Sequence, residues 1–281
     1  MGMWIGRPGS LREITDGAAS FDRSPDLAVV EFRSLAGGVT TWAPPVRPRR
    51  LKLAWDAMQR DDVMHLDRLA RRLDAPGPVA VLDPLTRNLF TGSQAAGRGA
   101  DGWAWVPGEI VLHAGQAGPY VPNSVSVEKL GTSGGTELYW SHGYGPMWAG
   151  HPVTPNLVVT WWVPGLHAAG AALDALKIHW HNAANEYLSV TTQTDVSRPV
   201  VATAPAGAAY CTPSVRFKAT GMWLMGESVL ALGDVAAELL SGQRPSGEGC
   251  PAYSITKYSH APSDGDGAFR DIGLELVEVT A

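Results

Sequence analysis

Cysteine is nearly absent from this chain: among its 281 residues only Cys211 and Cys250 carry a thiol. Two such distant thiols exclude a disulfide framework and do not have the spacing of a zinc motif. A single bridge between them stays open on redox grounds. Positive charge is scarce as well. Lys and Arg number 22 against 27 Asp and Glu, a net charge of -5, which removes the electrostatic case for a nucleic acid or an anionic membrane as partner. Uninterrupted apolar runs are missing too. The most apolar stretch, Leu157 to Ile178, is broken by Pro164, Gly165, Gly170 and Asp174, so it does not read as a membrane span. The opening MGMWIGRPGS has no cationic segment followed by an apolar run, and a secretory leader is not expected. Gly6 stands where a myristoylation motif needs Ser or Thr. Synthesis in the cytoplasm without an address is the expectation.

What is present is turn chemistry on an ordinary apolar background: 32 Gly, 21 Pro and 45% hydrophobic residues. That mixture points to a folded, β-rich protein large enough to bury a proper core. Charge divides the chain unevenly. Residues 87–242 hold 17 charged side chains in 156 positions, whereas the flanks together hold 32 in 125. The middle also carries eight of the eleven tryptophans and six of the eight histidines. A nested arrangement fits this contrast: one discontinuous domain over residues 1–87 plus 243–281, and a second over 88–242.

The flanks read as α+β. Val29–Leu35 and Arg50–Trp55 alternate as strands, with Gly37, Gly38, Pro44 and Pro45 marking the connection. Val63, Leu66, Leu69, Ala70 and Leu73 then recur at helical spacing. Asp61 or Asp62 is the expected N-cap, Arg68, Arg71 and Arg72 lie near the C-terminus, and Asp67–Arg71 forms a supporting pair. Ala75–Pro78 stops the helix and Val79–Pro84 begins another strand. The chain closes on AFRDIGLELVEV, in which Ile272, Leu274 and Leu276 face one way. Val277 and Val279 then reverse the phase, which predicts a bulge near Leu276. This last strand needs a partner, and the sheet of the first segment is the expected one.

The middle is all-β in pattern. Eight strands are predicted: Ser124–Leu130, Thr136–Trp140, Leu157–Val163, Leu176–His181, Tyr187–Thr192, Pro199–Thr203, Ser214–Thr220 and Ser228–Gly233. Their number and spacing suggest a sandwich or jelly roll. The fold class is therefore mainly β: a β-sandwich with one helix, interrupted by a jelly-roll domain.

Catalytic signals are weak. Gly131–Gly135 matches a G-x-S-x-G nucleophile elbow, but a strand follows where the motif needs a helix, so a hairpin loop is expected. Ser263–Gly267 resembles the start of a calcium loop, yet Ala268 and Phe269 occupy positions that need a ligand and a turning glycine. His179 and His181 share one strand face, but no third ligand stands at a suggestive distance. No catalytic residue, metal site or cofactor is therefore expected. With Leu176, Ile178 and Trp180 facing inward, the two histidines face outward, and Trp162 should face outward beside Thr160 while Trp161 enters the core. Trp162, His179 and His181 form the candidate sugar-stacking platform.

Two family resemblances follow. Asn88–Gln94 with Trp103, then VVTWWV, LKIHWHNA and VVATAPAGAAY, resemble the jelly-roll carbohydrate-binding modules that accompany glycoside hydrolases. The resemblance covers about 145 residues and implies sugar binding on a sheet face. Arg49–Pro84, with its strand, helix, GP turn and strand, and the closing pair YSITKYS and FRDIGLELVEV are similar to the distal tail protein and related minor tail proteins of long-tailed bacteriophages. That resemblance implies a hexameric ring at the tail tip, partners in the tail tube and neighbouring tip proteins, a virion location, and an outward β-domain that contacts host glycans. The accessory domain is inserted before the final hairpin, where the family appends it. A secreted carbohydrate-binding module or adhesin is the competing class, and a depolymerase the third.

Overall fold

The computed structural model describes residues 2–25, 29–42, 48–83, 88–99, 102–105, 108–115, 124–131, 135–142, 150–263 and 269–279. It is mainly β, built from several antiparallel sheets. By contacts the chain divides into two compact units, one of residues 1–6, 12–81 and 251–281, the other of residues 7–11 and 82–250. Pro44, Pro45 and Arg87, the last a proposed domain boundary, lie outside the described residues. Among the described residues no helix is long and apolar enough to cross a membrane.

In chain order the first elements are β1 (Met3–Arg7), β2 (Ser10–Ile14), β3 (Ser20–Pro25), β4 (Val30–Arg33), β5 (Val39–Trp42), β6 (Arg49–Gln59), α1 (Arg60–Ala70) and β7 (Val79–Leu82). There follow α2 (Gly92–Ala95), β8 (Trp103–Trp105), β9 (Ile110–Ala114), β10 (Val125–Lys129), β11 (Thr136–Trp140), β12 (His151–Pro152), β13 (Val158–Trp162) and α3 (Pro164–Ala168). The rest are β14 (Leu173–His181), β15 (Tyr187–Gln193), β16 (Val200–Thr203), β17 (Tyr210–Phe217), β18 (Gly221–Leu224), β19 (Val229–Leu232), α4 (Ala236–Leu240), β20 (Ala252–Ser263) and β21 (Phe269–Glu278).

The first unit is organised by a sheet of order β2-β1-β7-β20-β21-β6-β3. The last strand, β21, lies between β20 and β6, with Leu274 opposite Leu53 and Leu276 opposite Leu51. Alternation puts Leu51, Leu53, Trp55, Ile272, Leu274 and Leu276 on one buried face, where Leu66 and Leu69 of α1 join the same core. The expected phase reversal in β21 does not occur. Buried and half-buried positions alternate through to Glu278, and the extra residue, Thr256, sits in β20 opposite Leu276 and Glu275. Glu278 therefore turns inward, and its carboxylate accepts hydrogen bonds from the Arg49 backbone N–H at 2.9 Å and from Arg49 Nε at 3.2 Å. A charge can occupy a core-facing position when it is paired this way.

Helix α1 starts earlier than its pattern suggests. Gln59 is the N-cap and makes no side-chain capping bond. Asp62 lies inside the first turn, buried, with an oxygen 2.6 Å from Arg12 Nε. Asp67 and Arg71 pair at 2.9 Å. Arg72, at φ 55°, takes the left-handed conformation that ends the helix, so Leu73 leaves the apolar stripe and stands exposed. β4 pairs with β5 as an isolated two-stranded ribbon, and β6 pairs with β3 and β21.

The second unit layers a sheet of order β15-β14-β17-β11-β8, with β12 also paired to β17, against a sheet β16-β13-β19; a third, β18-β10-β9, adds to it. Trp161 of β13 and Trp140 of β11 meet between layers at 4.9 Å, edge to face, and Phe90 meets Trp161 at 5.5 Å. Trp161 donates to the Ser214 carbonyl and Trp140 to Ser228 Oγ, so neither indole N–H is left unpaired by burial. β10 and β11 belong to different sheets. The segment between them thus links two sheets and is not a hairpin loop; its Thr132–Gly134 lie outside the described residues, as do residues 264–268 between β20 and β21.

The chain enters and leaves this unit side by side. The Asn88 carbonyl accepts from Glu248 N–H at 3.2 Å and the Phe90 carbonyl from Gly249 N–H at 2.8 Å. A Cβ at Gly247 would lie 2.4 Å from the Phe90 and Thr91 carbonyl oxygens, so this approach requires glycine. The fully buried Asn88 side chain ties the junction together: Nδ2 donates to the Ser228 and Pro245 carbonyls, and Oδ1 accepts from the Phe90 and Leu230 N–H groups. Asn88→Ala removes all four bonds and strands buried partners, so a loss of about 3 kcal/mol is expected. Denaturant melts of wild type and variant will measure it; a loss below about 1 kcal/mol would show that water replaces the amide.

Candidate functional site

Alternation along the six-stranded sheet sends one set of side chains away from the Trp140–Trp161 core. β14 contributes Lys177, His179 and His181 to that outer face, β17 contributes Thr212 and Ser214, and β11 contributes Glu137 and Tyr139. On β14 the intervening Ile178 and Trp180 are buried, so the histidines do face outward. β15 carries a bulge: Trp180 pairs with Ser189 but His181 pairs with Tyr187. The extra residue is Leu188, and the shift seats the Tyr187 ring beside His181, at 6.0 Å. Tyr187 is 58% exposed.

Glu137 is the centre of the network. One carboxylate oxygen accepts from Lys177; the other lies 2.9 Å from His179 Nε2 and 3.1 Å from Ser214 Oγ. Burial alone would raise the Glu137 pKa, but hydrogen bonds from His179 and Lys177, together with their charges, hold it down at about 2. Burial, reinforced by the Glu137 charge and a hydrogen bond to it, pushes the Tyr139 hydroxyl up to about 12. His181 is lowered by burial and by the neighbouring His179. The rings of Tyr139, His179 and Tyr187 follow one another at 5.3 and 6.4 Å. The face is thus an aromatic row around a carboxylate that remains ionised. Such a carboxylate accepts hydrogen bonds well but does not serve as a general acid near neutral pH.

Of the three sequence-derived platform residues, the structure brings His179 and His181 together and leaves Trp162 apart. Trp162 belongs to the β16-β13-β19 sheet and is 5% exposed. It does point away from Trp161, as alternation requires, but Arg244 covers its ring at 5.1 Å and its Nε1 donates to the Val196 carbonyl. Thr160 is fully buried beside it and donates to the Gly233 carbonyl. Sequence reasoning missed Glu137, Ser214 and Tyr139, which lie on strands remote in the chain. The alternation of TELYW was the available signal that Glu137 and Tyr139 share one face.

A second cluster lies within the same unit. One ligand atom from each of His142, His151 and Cys250 lies within 4.8 Å of the others, and all three residues are buried. Cys250 Sγ is 3.7 Å from His151 Nδ1, and His142 Nε2 is 3.0 Å from the Cys250 carbonyl. Burial lowers the His142 pKa to about 4 and that of His151 well below its ordinary value. Cys211 and Cys250 are not joined by a disulfide.

Glu137 should leave a pH signature. Its carboxyl titrates lower in the folded than in the unfolded chain, so its stabilising effect is complete above the unfolded value of about 4.5 and fades as pH falls towards about 2. Glu137→Gln should therefore be less stable than wild type at pH 7, with the gap closing between pH 4.5 and 2; denaturant melts across that range will measure it. An equal gap at all pH values would mean that packing, and not charge, is lost.

No family model matches this sequence, and no curated protein matches it. Solved structures that align with part of this chain include the enzymatically active domain of tailspike protein 4 of bacteriophage CBA120, at 9% identity and TM-score 0.36, over 54% of this chain and 22% of that one. The CBM22-1–GH10 modules of Clostridium thermocellum xylanase 10B, complexed with xylohexaose, align at 14% identity and TM-score 0.33, over 52% of this chain and 28% of that one. A carbohydrate-binding module of the β-sandwich superfamily aligns at 14% identity and TM-score 0.30, over 82% of this chain and 90% of its own. This chain spans less than a third of the length of the first two of these proteins.

Proposed function

We propose that the protein is a structural subunit of a phage tail tip, of the distal or minor tail kind. Residues 1–87 and 243–281 join a ring of six copies that links tail tube to tip proteins. The jelly roll over 88–242 turns outward and contacts glycans of the host surface. In this reading the protein resides in the virion, needs no cofactor, performs no catalysis, and has neither nucleic acid nor membrane as partner.

The observation that carries the assembly reading is the β4–β5 ribbon. All eight of its residues are exposed. Val30 pairs with Trp42 and Phe32 with Thr40, so one face collects Val30, Phe32 and Trp42, with Phe32 58% and Trp42 54% exposed. An isolated two-stranded hairpin is marginal in water, and a contiguous apolar face suits burial against a partner. A second copy of the chain is the partner that a ring supplies, through a head-to-tail contact that closes. Wild type should form a closed oligomer by mass photometry and sedimentation. The double variant Phe32→Ser, Trp42→Ser should fall to monomer with an unchanged circular dichroism spectrum. A wild-type protein that stays monomeric at high concentration and is absent from purified virions would end this reading.

The glycan half rests on the outer face of β14, β15 and β11. The exposed Tyr187 ring offers a stacking surface, and Glu137, Lys177 and His179 offer polar groups beside it. On a glycan array the full chain should bind at least one surface polysaccharide, and Tyr187→Ala should weaken that binding about tenfold. If no glycan binds, the face is structural only. The same face also favours the alternative reading, a secreted carbohydrate-binding module or adhesin, which a monomeric glycan binder would support.

A further inference from the structure

We propose that His142, His151 and Cys250 form a zinc-binding site inside the second unit. The donors come from three separate segments: His142 just after β11, His151 opening β12, and Cys250 just before β20. They are 9 and 99 residues apart in the chain, so no short motif announces them. Their ligand atoms nevertheless converge to within 4.8 Å.

The Cys250–His151 pair has the spacing of a tetrahedral site, and the third donor lies within 4.8 Å of both. Bonds of about 2.3 Å to sulfur and 2.05 Å to nitrogen place those two ligands about 3.6 Å apart at a tetrahedral angle. The observed Cys250 Sγ to His151 Nδ1 separation is 3.7 Å. The donor set also selects the metal. Two imidazoles and a thiolate suit zinc, whereas calcium and magnesium require oxygen ligands. The surroundings are aromatic: Phe90 packs edge-on against His151 at 5.1 Å, and the two histidine rings meet at 5.3 Å.

Binding involves no redox change. Zinc forms bonds to one nitrogen of each imidazole and to Cys250 sulfur, and the thiol proton passes to solvent. Three protein donors leave the fourth position to a water molecule. The physical consequence is a cross-link. Cys250 ends the segment that leaves the unit, beside the Asn88–Glu248 and Phe90–Gly249 hydrogen bonds, and zinc would pin that exit to the β11–β12 side of the sheet. Because an ion bound by the folded chain alone adds stability by mass action, the melting temperature becomes zinc-dependent.

The test uses the full chain purified under reducing conditions. Elemental analysis should find about one zinc per chain, and a chelator should lower the melting temperature reversibly. Cobalt(II) in place of zinc should give a thiolate-to-cobalt charge-transfer band and the strong visible bands of a tetrahedral site. Cys250→Ser should abolish the charge-transfer band and lower zinc affinity more than about a hundredfold, beyond what loss of an outer-shell partner does. Cys211→Ser, which removes the other thiol, should leave both unchanged. Should Cys250→Ser fail to fold, the wild-type cobalt spectrum and chelator response decide alone. A folded wild type that takes up no zinc, a cobalt spectrum without a thiolate band, or a band that survives in Cys250→Ser and vanishes in Cys211→Ser would each overturn the site.

Discussion

The placement of β21 between β6 and β20 is the constraint on which the rest depends. The chain leaves this sheet after β7 and returns to it at β20, with β21 supplying Leu274 and Leu276 opposite Leu53 and Leu51. A flexible loop on the order of 170 residues would oppose that pairing by about 4–5 kcal/mol of closure entropy. The intervening chain is instead compact by its contacts. It folds as a unit whose entering and leaving segments are hydrogen-bonded to each other, Asn88 to Glu248 and Phe90 to Gly249. The buried Asn88 amide and the bare Cα of Gly247 make that close approach feasible. A large insertion can therefore behave energetically like a short connection.

Within the second unit, one sheet performs two tasks through the period of two. Its inner face supplies Trp140, Ile178, Trp180 and Val215 to the core, and its outer face carries the Glu137 network. A half-buried carboxylate would be costly alone. Lys177, His179 and Ser214 all reach it because β11, β17 and β14 are adjacent and in register. That network orients His179 between the rings of Tyr139 and Tyr187. The bulge at Leu188 then decides which β15 side chain completes the row.

Much of the strand content was legible because apolar alternation is local. LKIHWH declared its inward Leu176, Ile178 and Trp180, and TELYW its inward Leu138 and Trp140. Short or less regular strands escaped: β1, β2, β3 and β5 in the first unit, and β8, β9, β12 and β18 in the second, each six residues or fewer. Alternation also misled where burial was reversed by a partner. In VEV the valines resemble the buried pair, yet Glu278 is the residue that turns inward, because Arg49 meets it from the adjacent strand. Trp162 failed for a related reason. Its direction followed from the pattern, but its cover came from Arg244, more than eighty positions later.

By itself the sequence determined what local spacing can encode: a mainly β chain, one amphipathic helix, a charge-poor middle, and the outward direction of His179 and His181. Only the tertiary structure decided which strands are neighbours, and with them every composite feature. Glu137 reaches His179 across 42 residues, and Cys250 reaches His151 across 99. The physical reason is that side-chain direction depends on the few residues on either side. A hydrogen bond, a ligand set or a cover over an aromatic ring depends on which distant strand lies alongside.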